Sequence, residues 1–546
     1  MKIPVSRWWG RGPRVCFALV LALCAADCSS TPSSPDLGID AAPSGPLRSA
    51  LYPATWDPSF TDASGRFLHD FSYAGYHNGA APLPQPLPGK TFDIAGFGAD
   101  ATGQADATTA IQKAIDAVAA AGGGVVALGP GEFRVDGVLE VKTARTVIAG
   151  AGPDKTRLRF TKVKGMSDRA HLTFRGAVKP AAPLPLVEDG KDRALTVAVA
   201  DASSLKPGDD VSIGWTITPA FVEAHGMTGV WTVFLNQWKP VFRRQVVKVD
   251  TAARPHRVTV DVPLRYDALL RDGAALRPET GYLAECGLQD LSLTSAVAWA
   301  DAWVEMRNHA VDLIDTADCW IRNVRSYASS DPAARGHHLQ SGGLRVLSSK
   351  RATVADVQFQ KAQNRGEGGC GYLFEISMSS EVLVRDSSGV DGRHNFIQNW
   401  DFGTTGCVWL RIYSQGGHSY SNINDATGIP AFCEYHHSLA MANLVDQSQL
   451  RDGWYGGNRG LDSSGAGITA TENAYWNLRG PGGIITSFAW GWGYVIGTED
   501  LFVFTDPKLP YGTGTAPEDL VEGRDEASTL DPPSLYEDQL KRRLGK

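Results

Sequence analysis

FDIAGFGADATGQADATTAIQKAIDAVAAAGGGVVALGPGEFRV, Phe92 to Val135, changes its apolar period within one short span. Asp106-Ala-Thr-Thr109 supplies the short polar side chains that satisfy free N–H groups at a helix start. Ile111, Ala114, Ile115 and Val118 then recur at helical spacing and make one apolar stripe. Gly122 to Gly124 stops that helix. Val125 to Leu128 reads as a buried strand, Gly129-Pro-Gly131 as a turn, and Phe133 to Val135 as the start of another strand. A helix with one apolar face needs a surface to cover. The open end of a stack of strands offers one, and the helix in turn shields its unpaired backbone edge.

The chain beyond this block repeats short apolar strands after turn signals: LQDLSL, CWIRNV, ATVADV, EVLVRD and CVWLRIY. Anchoring them on Leu288, Ile321, Val354, Val384 and Leu410 gives intervals of 33, 33, 30 and 26 residues. That is the uneven period of a solenoid whose turns vary in length. HSLAMANL, AGITATENAYW and GIITSFAW continue the series.

The succession FGADATG, AIQKAIDA, GGGVV and GPGEF resembles the N-terminal region of the pectate lyase-like superfamily, rhamnogalacturonase- and epimerase-type proteins included. Ala101-Thr102-Gly103 departs from the second Asp of that family's usual Asp-Gly pair. The resemblance implies an all-β, single-stranded right-handed parallel β-helix with an N-terminal cap helix. It implies no reaction, because the superfamily includes hydrolases, lyases, epimerases and phage tail proteins. RHN at 393–395, HH at 436–437 and NRG at 458–460, with GRFLHDFSYAGYHNG and SLYEDQL, resemble a bacterial lipoprotein-like subgroup that has no assigned reaction. This second likeness covers nearly everything after residue 50.

Composition and segment character divide the 546 residues. Residues 1–28 read as a leader: Lys2, Arg7, Arg11 and Arg14 precede the apolar run from Val15 to Ala26, which is too short to span a bilayer. Cys24 or Cys28 is the candidate for lipidation, with plain cleavage after Ala25-Ala26 as the alternative. Residues 29–48 are Ser-, Pro- and Asp-rich and read as a tether, with order expected from near Trp56. Residues 49–183 hold an N-terminal extension, the cap helix and the first coils. Alternating strands joined by polar turns over 184–266 read as a small antiparallel β insertion. Residues 267–504 form the β-helix body, and 505–546 a tail with helix potential in SLYEDQLKRRLG. A net charge of -7 without a basic stripe argues against a nucleic-acid partner, and 59 Gly with 31 Pro suit a β-rich secreted chain. Five cysteines beyond the leader, an odd number with no CxxC spacing, argue against a disulfide framework or a zinc site and for buried thiols. A membrane contact is expected only through the lipid anchor, and the sequence gives no oligomeric state.

Three polar clusters carry the candidate chemistry: Asp391-Gly-Arg393-His394-Asn395, Glu434-Tyr435-His436-His437, and Asn458-Arg459-Gly-Leu-Asp462. His394 and His436 are 42 residues apart, and His437 and Arg459 are 22 apart. Those gaps fit one long or two short coils, then about one more. Strands in a stack lie roughly 4.8 Å apart, so the clusters would sit about 5–10 Å from each other, the size of a sugar unit.

Two mechanisms on a polysaccharide fit. In β-elimination, Arg393 or Arg459 neutralises a uronate carboxylate while His394, His436 or Tyr435 removes the neighbouring proton. In hydrolysis, two of Asp391, Glu434 and Asp462 act as acid and base or nucleophile, about 5–5.5 Å apart for retention and about 6.5–9.5 Å for inversion. The density of Arg and His favours an anionic substrate and so the lyase. A surface protein that binds glycans without cleaving them is the third reading. Asn395, Tyr435, Asn458, Trp490 and Trp492 are assigned to substrate binding, although Asn395 and Asn458 also suit structural turns and the two tryptophans also suit a core. His309, His418 and the pair His337-His338 read as ordinary side chains. No cofactor or metal is assigned, and no acidic cluster supports a calcium requirement.

Overall fold

The computed structural model describes residues 45–505 and 517–546. The leader with Cys24 and Cys28, residues 29–44 of the tether and residues 506–516 of the tail lie outside them. The described chain winds as a single-stranded right-handed parallel β-helix. Each coil contributes strands to three ladders, named here A, B and C in the order the chain visits them. Ladder A starts at Thr91–Asp93, continues through Gly124–Ala127 and Thr146–Ala149, and ends at Leu520–Glu522. Ladder B runs from Thr102–Asp106 through Gly131–Val135 and Thr156–Phe160 to the later coils. Ladder C stacks Ala170–Arg175, His309–Ile314, Gly342–Leu347, Phe374–Ser377, Phe396–Gln398, Cys433–Tyr435 and Trp454–Gly456.

Leu288, Ile321, Val354 and Val384 stack in register in ladder A. The next partner is Trp409, not Leu410. A one-residue slip exchanges the two faces of a strand, so Trp409 enters the solenoid core while Leu410 points outward. Alternation fails here because the outer face of ladder A is also apolar. Leu383, Leu410 and Leu444 are covered there by Leu51, Tyr52 and Phe71 from the N-terminal extension and by Leu535 and Tyr536 of the helix Leu535–Leu544. The extension packs from Leu47 rather than from near Trp56: Leu47 O accepts from Asp531 N–H at 2.8 Å, and Leu51 is fully buried.

The cap helix spans Thr108–Ala120 and buries Ala110, Ile111, Ala114, Ile115 and Val118. Its start is held by Asp106, whose Oδ1 accepts from the Thr108 N–H at 2.9 Å. The buried stripe closes the first coil over Val126, Leu128 and Phe133. Cys286, Cys319, Cys370, Cys407 and Cys433 are all buried free thiols.

The antiparallel insertion has seven strands, from Lys179–Pro180 to Ala275–Thr280, and so extends past 184–266 at both ends. The added strand Lys179–Pro180 escapes an alternation search because it is two residues long and contains proline, which suits only a sheet edge. The insertion docks on the solenoid's turns. Trp231 and Phe234 share one apolar cluster with Phe402, Leu439, Met441 and Ile468, and Trp231 Nε1 donates to Ala466 O at 3.0 Å. Lys239 Nζ pairs with Asp401 Oδ2 at 2.5 Å.

Candidate active site

Ladder C positions the site by strand alternation. Cys433 and Tyr435 face the core, so Glu434 between them must face outward. Ile397 of the preceding coil and Tyr455 of the following coil lie beside Glu434 in register. His394 lies two residues before the strand of the first neighbour, and Arg459 follows the strand of the second. The polar clusters are therefore on consecutive coils, and the 42-residue gap is one long coil.

All three clusters meet on the Glu434 carboxylate, which is buried. Oε1 receives His436 Nδ1 and lies 3.2 Å from His394 Nε2, while Oε2 accepts from Arg459 Nη1 at 2.7 Å. Burial alone would raise the Glu434 pKa. Arg459, His394 and His436 outweigh it and hold the carboxyl well below the usual carboxylate range. Burial pushes His436 downward against the pull of Glu434, so the ring is neutral at ordinary pH. With Nδ1–H directed at Glu434, its Nε2 makes no hydrogen bond among the described residues, and His436 lines the groove. His394 is pushed down to about 3, chiefly by burial. Its Nδ1 donates to Phe432 O at 2.6 Å, leaving the unprotonated Nε2 toward Glu434.

Arg393 sits between two adjoining pockets of about 570 and about 290 Å³ and lines both. Nη1 donates to Gly366 O at 2.6 Å, and the buried Nε has no hydrogen-bond partner among the described residues. Gly371 makes room for it: at φ +79 a Cβ there would come within 3.0 Å of Arg393 Cβ. Tyr372, absent from the sequence assignment, lines the larger pocket, and burial pushes its hydroxyl up to about 12. Beneath lies another missed carboxylate. Glu375 bonds His309 Nε2 at 3.1 Å, Asn399 Nδ2 at 3.0 Å and Arg307 Nη2 at 2.5 Å. Burial opposes its ionisation, yet Arg307 and His309 hold it well below its ordinary range. The signal was present, since Phe374-Glu375-Ile376 repeats the apolar–Glu–apolar pattern of Cys433-Glu434-Tyr435.

Other assigned residues fall elsewhere. Tyr435 is fully buried in the core, because it follows the outward Glu434 by one residue, and it cannot reach a substrate. Asn395 is a buried scaffold residue: its amide donates to Ser414 Oγ, Gln415 O and Asp452 Oδ2 and accepts from Gly392 N–H. Asn458 closes its own turn by accepting from Gly460 N–H at 2.9 Å. Asp391 lies at the corner after ladder B, hydrogen-bonded through its backbone to Gln415 and Ala362, and lines neither pocket. Asp462 is exposed at the rim of the smaller pocket. His437 lines the larger one, with Nε2 bonded to Ser463 O at 2.7 Å and its ring 4.6 Å from that of Trp400. Trp490 and Trp492 do not border the groove; they wall a separate pocket. Ligand atoms of His394, Glu434 and His436 all lie within 4.8 Å of one another, close enough to share one cation, although Arg459 already neutralises that carboxylate.

Residues 91–176 match the family of rhamnogalacturonase A/epimerase, pectate lyase-like proteins. That match covers 86 of the 546 residues, and over that stretch the chain is similar to this family. Among curated proteins, mannuronan C5-epimerase AlgE3 of Azotobacter vinelandii is 45% identical over 76 residues, 13% of this chain and 4% of that one. Alginate lyase 7 of the same organism is 43% identical over 93 residues, 16% of this chain and 10% of that one. The chain thus spans a tenth or less of the length of these two relatives. Among solved structures, the Gp54 tailspike of Acinetobacter baumannii bacteriophage AP22, in complex with capsular saccharide, has a TM-score of 0.47 at 13% identity, over 83% of this chain and 63% of that one.

Proposed function

We propose that the groove on ladder C is the active site of a polysaccharide-active enzyme that cleaves uronate-containing glycans by β-elimination, outside the cytoplasm. The observation that carries this reading is the convergence of His394, His436 and Arg459 on Glu434, with Arg393 left unpaired between two pockets. Arg459 is occupied by Glu434. Arg393, with its unsatisfied Nε, is the group that receives the substrate carboxylate and stabilises the charge that develops there. His436, oriented by Glu434 and neutral, removes the proton from the carbon bearing that carboxylate. The new carbanion electrons form a double bond to the adjacent carbon as its glycosidic C–O bond breaks. The departing oxygen takes a proton from Tyr372, whose hydroxyl burial keeps protonated.

Hydrolysis needs a carboxyl held protonated beside the scissile bond. The two buried carboxyls here, Glu434 and Glu375, are both held ionised, which favours elimination over hydrolysis. Epimerisation begins with the same proton removal and ends with return of the proton to the opposite face. The matches to C5-epimerases keep it as the second reading. Incubation with a panel of acidic and neutral polysaccharides separates the outcomes. Ultraviolet-absorbing unsaturated ends are expected with uronate polymers. New reducing ends without that absorbance would move the assignment to hydrolysis, and solvent-hydrogen exchange without cleavage would move it to epimerisation. An inert wild-type chain across the panel would leave glycan binding as the function.

A further inference from the structure

A second pocket forms where three distant parts of the chain meet, and it shares no lining residue with the groove. The N-terminal extension supplies Phe67, the insertion supplies Asp192, Tyr266 and Asp267, and turns of two late coils supply Glu472, Trp490 and Trp492. The volume is about 410 Å³, enough for a sugar ring. Phe67, Tyr266, Trp490 and Trp492 make aromatic walls. Behind them, fully buried His69 places Nε2 2.6 Å from Glu472 Oε2 and 4.0 Å from Asp192 Oδ1. His69 Nδ1 and Asp192 Oδ1 are buried with no hydrogen-bond partner among the described residues.

The charge balance is the reverse of the groove's. Asp192, Asp267 and Glu472 make no ion pair with Lys or Arg among the described residues. Arg193 lies over the Phe67 ring at 3.9 Å and gives its N–H groups to Phe60 O and Thr61 Oγ1. Arg271 is taken by Asp272 at 2.8 Å. Burial accordingly pushes Asp192 up to about 7, and burial together with Asp267 pushes Glu472 up to about 8. Asp192 and Glu472 are half-buried; carboxylates held so without a Lys or Arg partner are costly, and a ligand that brings a cation relieves that cost. Aromatic faces both stack on a sugar ring and attract an ammonium. A uronate would bring another carboxylate and no cation. A bare metal ion would use the acids and leave the four aromatic walls without a role.

We propose that this pocket binds an amino sugar unit, its ammonium against Asp192 and Glu472 and its ring against Trp490 or Trp492. The site stands on residues apart from the groove and does not depend on the reaction assigned there. The test titrates the full chain with glucosamine oligomers, with N-acetylglucosamine oligomers that keep the shape but lose the charge, and with calcium and zinc ions. Binding is followed by tryptophan fluorescence and by calorimetry in buffers of different ionisation enthalpy. The amine oligomer is expected to bind about tenfold or more tighter than its acetylated form, the worth of a partly desolvated cation–π contact. It should also release protons as it ionises the acid pair. Glu472→Gln and Trp492→Ala should each weaken that binding about tenfold, while His436→Ala leaves it unchanged. Equal affinity for both oligomers, binding that survives both pocket variants, or uptake of a metal ion with no sugar binding would each overturn the proposal.

Discussion

The groove and the second pocket both bury carboxylates beside histidine, yet they balance charge in opposite ways. Glu434 is met by Arg459 and two imidazoles, which leaves Arg393, without an ion pair among the described residues, facing the groove. Glu472 is met by one fully buried histidine that burial pushes down to about 4, so no cation balances the carboxyl there and it keeps its proton near neutrality. The sign of what remains unpaired, rather than the presence of Glu and His, sets the class of ligand. The two proposals follow from that difference: an anion for the groove and a cation for the pocket.

The sharpest way to break this contrast is to remove the base. His436→Ala should lower turnover on a uronate polymer by about 10²–10⁴-fold, the usual range for a positioned proton acceptor. The same change should leave amino-sugar binding intact. If both properties fall together, the two sites are one system and the contrast is lost.

Arg393→Ala should cost about 10²–10³-fold on the same substrate, as for loss of one oriented donor to a developing charge. Arg393→Lys should recover little, because an ammonium lacks the planar fork that matches a carboxylate. A lysine variant with wild-type turnover would reduce Arg393 to a general positive field.

The smallest effects are on stability, and their pH dependence has opposite sign at the two sites. Glu434 is held below its ordinary value, so its stabilisation is present above the unfolded pKa, given as 4.5, and is lost as pH falls through the folded one. Glu434→Gln should cost about 3 kcal/mol near neutrality by leaving Arg459 without its charge partner, and much less in acid. Glu472 rises from 4.5 to about 8, so the folded chain holds a proton that the unfolded chain releases. Its contribution is therefore full in acid and declines as pH climbs to about 8. Glu472→Gln should remove that decline and make the variant the more stable protein in mild alkali. Thermal melts of both variants across the pH range check this, and parallel profiles would contradict the contrast.

The residues show why some of this was readable in the sequence and some was not. Ile111, Ala114, Ile115 and Val118 announced the cap helix because only one of its faces is buried. The strands from Leu288 to Val384 announced the coil register for a similar reason: the core-facing positions recur. At Trp409 and Leu410 both faces are buried, and the pattern lost its sense of direction. Tyr435 was assigned by its company in the sequence, but period-two alternation places it opposite Glu434 and inside the core. Glu375 was legible by the same alternation, as a charged residue centred in an apolar strand.

The sequence by itself determined a β-helix with a capped end and placed His394, Glu434, His436 and Arg459 within a few coils of one another. Local periodicity and stacking carry that information, because each coil repeats the geometry of the one before. Only the tertiary structure decided that Glu434 is the common partner, that Arg393 is left over, and that Trp490 and Trp492 belong to another pocket. Those outcomes depend on loop lengths between coils and on an insertion and a chain terminus folding over distant turns. No local pattern encodes contacts of that kind, since they arise between segments hundreds of residues apart, such as Phe67 or Asp192 and Trp492.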